Sequence, residues 1–309
     1  MDRRVVVLGT LILSATAALA QEPPGPPKVL ALAREEIRPG HAAAHARSVA
    51  TFIAAVSRAN APVYRIALTP LSGDENAVVY LQAFGSFAEV ESAHKQFEET
   101  IAANAVFKAD LDRLDREEVD QHASQKTAFY TLRSDLSFHP SSAEQFARSR
   151  FVSIGTTRIK PGRVPDYVDY IKGLNAAREK AGVDAHIVVY QVISGAPNGT
   201  FLTFASMRSL AEIDDVRQKM EQQQKALDDA LGGSDVVKQR RMLISEIVAE
   251  GYNTIYAMDP SLSRPTALIV AADPDFWNPK SAAATKALAA KKEAPKAKAE
   301  AKAKEAPKP

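Results

Sequence analysis

Six histidines, eight tyrosines and no cysteine set the chemistry open to this 309-residue chain. His41 and His45 stand at i and i+4, a spacing that puts two imidazoles on one helix face and can bind a metal. No Glu lies between them and no third ligand follows, so two solvated helix histidines are the simpler reading and no metal site is expected. His94 falls four residues after Val90 and three before Phe97, on one helical stripe. That makes it a partly buried rim histidine and, because an imidazole titrates near neutrality, a candidate general base. His186 opens an apolar strand and is the second catalytic candidate. Tyr64, Tyr80, Tyr130, Tyr190 and Tyr256 lie in segments that read as strands. Pointing into an enclosed space, they would line a ligand pocket, hydrogen-bonding a polar end and stacking on rings; packed among aliphatics, they would be filler. Arg65, also in a strand, reads as a solvent-facing edge residue.

Other chemistries lack their parts. No Gly-rich phosphate loop, P-loop, GxSxG elbow or HExxH occurs. A thiol nucleophile is excluded by composition, and basic residues interleaved with aromatics, as nucleic-acid binders carry them, are missing.

The opening "MDRRVVVLGTLILSATAALAQ" has a basic n-region, a short apolar core and a small-x-small site at Ala18-Leu19-Ala20. This is the layout of a signal peptide over residues 1–20, and it predicts a periplasmic or secreted protein. The apolar run is too short to span the roughly 30 Å of a bilayer core. "QEPPGPP", residues 21–27, is a stiff lead-in. From residue 280 to 309 the chain holds nine Lys against three Glu and no aromatic residue, a composition that predicts disorder. With a +1 leader and a +6 tail inside a chain of net +2, the body between is −5. Such a tail can adhere to anionic envelope polymers by charge alone, or serve as a solvated spacer.

The elements that must position the candidate residues come in two similar runs. Ile37-Arg38-Pro39-Gly40 and Ile159-Lys160-Pro161-Gly162 lie 122 positions apart. Each follows a strand-like segment and precedes a helical stripe: Val49, Phe52, Ile53 and Val56 in the first, Val164, Tyr167, Val168, Ile171 and Leu174 in the second. A hairpin follows in each, then a helix announced by "SFAE" (Ser86–Glu89) or "SLAE" (Ser209–Glu212), both fitting a capping box. A last apolar strand closes each run, carrying Tyr130 or Tyr256. The charged stretches just before those last strands read as helical and mostly solvated, and residues 266–279 have no counterpart in the first run. The order strand-helix-strand-strand-helix-strand is the ferredoxin-like unit. Its sheet has one face covered by helices and another, too apolar for water, that a second copy must cover.

"TTRIKPGRVPDYVDYIKGL", and more loosely "REEIRPGHAAAHARSVATF", resembles the NIPSNAP-like branch of the dimeric α+β barrel superfamily. The resemblance implies an α+β fold of two tandem ferredoxin-like units, residues 28–140 and 150–265, forming an intramolecular barrel with an internal or rim pocket. Members include cofactor-free monooxygenases and haem enzymes such as chlorite dismutase relatives. The Asn, Trp and His set of the monooxygenases does not carry over, because the one Trp, Trp277, lies outside both units. Neither His94 nor His186 stands in a haem-ligation motif. The sequence therefore predicts an exported envelope protein that binds a small apolar or aromatic molecule, with no cofactor assigned. A cofactor-free or haem-dependent oxidoreductase and a cell-wall-tethered interaction module are the alternatives.

Overall fold

Pro39-Gly40 and Pro161-Gly162 end a strand and start a helix in the same way. Each glycine adopts positive φ, 83° and 79°, and the proline before it cannot extend the ladder. A computed structural model describes residues 25–278; the expected leader and the lysine-rich tail lie outside them. The first half runs β1 (Val29–Ile37), α1 (Ala42–Arg58), β2 (Arg65–Pro70), β3 (Ala77–Phe84), α2 (Phe87–Ala103), α3 (Ala105–Glu118) and β4 (His122–Leu132). A short helix α4 (Ala143–Ala147) leads to β5 (Phe151–Ile159), α5 (Val164–Lys180), β6 (Val188–Ser194), β7 (Thr200–Met207), α6 (Ala211–Ala230), α7 (Ser234–Ile247) and β8 (Val248–Arg264). Helices α8 (Ala267–Ala272) and α9 (Pro274–Trp277) follow.

The eight strands close into one antiparallel barrel in the cyclic order β1-β3-β2-β8-β5-β7-β6-β4. Read from its fourth strand, the first half is β4-β1-β3-β2 and the second β8-β5-β7-β6, the same order twice. Even the irregularities match: the register shifts at Ile37 opposite His122 and again at Ile159 opposite Val248. The seams are the antiparallel pairs β2–β8 and β4–β6. Each half thus covers the other's apolar face and also hydrogen-bonds its edge strands, which removes the open edges a lone sheet would present.

Alternation along the strands separates two cores. Leu30, Leu81, Ile154, Leu202, Phe204 and Tyr256 point into the barrel. Ile37, Val78 and Tyr80 face outward, packed against Val49 of α1, and Ile159 and Phe201 do the same against Tyr167 of α5 and Ile247 of α7.

Helices α3 and α7 bear out the reading of those stretches as helical and mostly solvated, each turning a few side chains inward. Phe107 and Leu114 of α3 and Val237 and Ile247 of α7 are buried. Helix α3 takes the place beside α1 that α2 would otherwise fill. Consequently α2 has no buried residue and meets α3 through Phe97, whose ring lies 5.9 Å from that of Phe107. Of the two capping boxes, Ser86 accepts from the Glu89 amide, but Glu89 bonds Gly85 rather than Ser86. At the second, Glu212 accepts from Ser209 N–H while the Ser209 hydroxyl makes no cap, and helix α6 begins only at Ala211.

Residues 266–278, without a counterpart in the repeat, close one end of the barrel. Trp277 is 3% exposed, joins the interior core, and donates its indole N–H to the Ala147 carbonyl at 2.8 Å. Arg150 holds Asp273 at 2.5 Å and stacks over Phe276.

Candidate functional site

Along β1 the inward residues run Leu30, Leu32, Arg34, from the plugged end toward the other rim. Opposite them in β4 stand Tyr130, Ala128 and Lys126. Strand β5 repeats the gradient with Val152, Ile154, Thr156 and Arg158. The outcome is a cavity of about 340 Å³ with an apolar floor and a charged mouth. Tyr130, Tyr252 and Tyr256 line it, and Arg34, Lys126, Arg158 and Glu250 surround the opening. That volume is within the range of small-molecule sites.

The mouth is cationic but partly paired. Arg34 binds Asp74 at 2.6 Å and Glu36 at 3.4 Å. Arg158 Nε lies 3.3 Å from Glu250, yet the angle makes no hydrogen bond, and this buried N–H has no acceptor. Burial pushes the Tyr130 hydroxyl up to about 12, with Tyr252 nearby adding to the rise. Burial also raises Tyr256, against the opposing pull of the Arg34 guanidinium. Both phenols therefore stay protonated at neutral pH and act as hydrogen-bond donors, not as bases.

The five tyrosines of the sequence reading separate by strand face. Tyr130 and Tyr256 line the cavity, and Tyr190 belongs to the same interior core, its hydroxyl donating to the Pro27 carbonyl at 2.9 Å. Tyr80, 1% exposed, points the other way, under α1. Tyr64 precedes β2, is 45% exposed, and lies under the Arg264 guanidinium.

The two catalytic candidates are not at the cavity. His94 is exposed on α2, which beyond Phe87 packs on α3 rather than on the sheet, so the rim position expected from its stripe is corrected. His186 is exposed just before β6, with Nδ1 at 2.6 Å from the His139 carbonyl. No histidine or methionine is among the residues lining the cavity, so its donor set does not suit the common axial ligation of haem.

A second group, missed in sequence, is polar and deep. His45, read as a solvated helix histidine, is buried at 2% exposure, and His41 is not its partner. Instead His45 Nε2 faces the Tyr80 hydroxyl at 3.2 Å and Glu35 Oε2 at 3.6 Å. His122, the first residue of β4, brings its Nε2 to 3.5 Å from the same oxygen, and the two imidazoles meet edge to face. Arg65, expected at a solvated edge, stacks over Tyr80 and Phe52 within this group. Burial lowers the His45 imidazole to about 4, helped by the positive charge of His122 and Arg65, and burial raises the Glu35 carboxyl. Among the described residues this trio is the one group whose His and carboxylate atoms lie close enough together to hold a metal ion.

No family model matches the chain, and no curated protein does. Several solved structures share part of the chain path at low sequence identity. A protein described as a monooxygenase, from Fusobacterium nucleatum, is 9% identical with a TM-score of 0.44, covering 75% of this chain and 93% of that one. An anthrone oxidase-like protein is 12% identical, TM-score 0.43, over 75% of this chain and 91% of its own. Chlorite dismutase from Candidatus Nitrospira defluvii, in complex with imidazole, is 11% identical, TM-score 0.41, over 76% and 92%.

Proposed function

We propose that the barrel is a binding protein for one small molecule with an apolar or aromatic body and an anionic end. The observation that carries this is the pairing of an aromatic floor with the buried Arg158 Nε–H that has no acceptor at the cavity mouth. Glu250 meets that Nε–H only as an ion pair without hydrogen-bond geometry, and an anionic ligand oxygen would give it an acceptor. Lys126 adds a second cation, and Tyr130 and Tyr256 offer phenolic donors deeper in.

The matched strand orders support a wider proposal: two tandem ferredoxin-like units, 28–140 and 150–265, fused into an intramolecular dimer of the NIPSNAP-like kind. Export to the periplasm or medium, through a leader over residues 1–20, is part of the same proposal. So is adhesion of the lysine-rich tail to an anionic envelope polymer.

The test is native mass spectrometry with an absorption spectrum on untagged protein purified from its own host. A co-purifying organic anion, released on unfolding, supports the reading. A Soret band, or an empty barrel that binds no anionic aromatic compound, overturns it.

A further inference from the structure

We propose that Glu35, His45 and His122 form a closed site for one divalent transition-metal ion, Zn(II) in the first instance, joining β1, α1 and the start of β4. The distances are the first argument. Glu35 Oε2 lies 3.6 and 3.5 Å from the two imidazole Nε2 atoms. Neither contact makes a hydrogen bond, whereas two ligands of a tetrahedral ion, each about 2.0–2.1 Å from it, sit roughly 3.3–3.4 Å apart. All three ligand atoms lie within 4.8 Å of one another.

The second argument is an orphan. His122 Nε2 is buried and has no hydrogen-bond partner, although its side chain is only 10% exposed and points at the carboxylate. Two imidazoles and a carboxylate are a donor set for Zn(II) and neighbouring first-row ions.

The barrel supplies its own control. In the second half the places of Glu35, His45 and His122 belong to Thr157, Tyr167 and Val248, fixed by Ile159 and its register shift. Arg65, just before the Ile66–Leu81 pair, answers to Ile187, just before Val188–Phe204. That half packs the same site with an apolar cluster, the Tyr167 ring lying 4.7 Å from that of Phe201. The fold therefore does not require ionisable groups here, and the first half carries four. Arg65 opposes a bound cation; Glu118, near enough to act on both His122 and Glu35, offsets part of that charge.

The experiment uses untagged full chain, stripped with chelator and dialysed against Zn(II), with Co(II) as a spectroscopic probe. One ion per chain, tetrahedral Co(II) absorption bands and a raised melting temperature are expected. Glu35→Gln and His122→Gln each remove a direct ligand and should weaken binding by more than the roughly tenfold to hundredfold that losing an outer-shell partner costs. His122→Val, matching the second half, serves if the amide variants fail to fold. His41→Ala and His94→Ala, which remove histidines outside the trio, one half-buried and one exposed, should leave binding intact. Absence of a retained ion, binding that survives Glu35→Gln and the His122 variants, or binding lost with His41→Ala would each overturn the site.

Discussion

His45 and Tyr167 occupy the same position in the two halves of one barrel. Each is the fourth residue of the helix after the Pro-Gly turn, and each is buried, at 2% and 5% exposure. One faces a carboxylate and a second imidazole, the other the ring of Phe201 in an apolar cluster. The duplicated frame has been filled once with ionisable groups and once with neutral ones.

The two fillings should differ in what they lose on mutation. Tyr167→Phe removes a single hydroxyl from an apolar cluster and is expected to cost about 1 kcal/mol or less. Glu35→Leu strips Arg65 and both histidines of their shared carboxylate and should cost more, about 3 kcal/mol. Urea unfolding of both variants in metal-free buffer measures the difference; equal costs would contradict the electrostatic description.

Trp277 is the keystone of the plugged end, buried in the barrel core with its N–H on the Ala147 carbonyl. Trp277→Ala should cost about 3–5 kcal/mol, the range for deleting a large buried aromatic. Since it is the only tryptophan, a shift of its emission to longer wavelength in wild-type protein at low urea would reveal release of the plug before the barrel melts.

Gly195, on the cavity wall, adopts φ +82°, and a Cβ there would sit 2.2 Å from the Thr127 carbonyl oxygen of β4. Gly40 has a similar φ, +83°, with open space around it. Gly40→Ala should cost about 1 kcal/mol, and Gly195→Ala several times that, because β4 must move. Thermal melts of the pair separate backbone strain from collision.

Asp135 is held down to about 2 by its hydrogen bond to Arg133, with Lys172 adding to the effect. A depressed carboxylate stabilises the fold above its unfolded value near 4 and loses that contribution as pH falls toward 2. Asp135→Asn should therefore flatten the fall in stability between those pH values, by a small amount because the pair is partly exposed. Denaturant midpoints across that window decide it.

How much of this was legible in the sequence depends on what each signal constrains. Pro-Gly pairs dictate local backbone, so both strand-to-helix turns were readable from Gly40 and Gly162. Facing was not readable in β3, where Val78, Val79, Tyr80 and Leu81 are all buried. With both faces apolar, alternation carries no sign, and a one-residue slip exchanges them. Hence Tyr80 and Tyr130 looked alike although they lie on opposite sides of the sheet. His94 sat on an apolar stripe, but its helix meets the sheet only at its start, where Phe87 packs on Phe129, and otherwise packs on α3, a tertiary choice no local pattern encodes. The Glu35–His45–His122 group joins residues distant in sequence, with no spacing motif to mark it; the one available signal was an acidic residue beside the repeated phrase where the second copy has Thr157.

The central claim is that the open end of the barrel takes an anionic, aromatic guest. Titration with 8-anilinonaphthalene sulfonate, an anionic aromatic probe, tests it on the full chain. The account predicts one saturable site per barrel, weakened about tenfold by Arg158→Gln, as loss of a charge-assisted hydrogen bond implies, and abolished by Leu202→Trp, which fills the cavity. Binding that ignores both substitutions would contradict it.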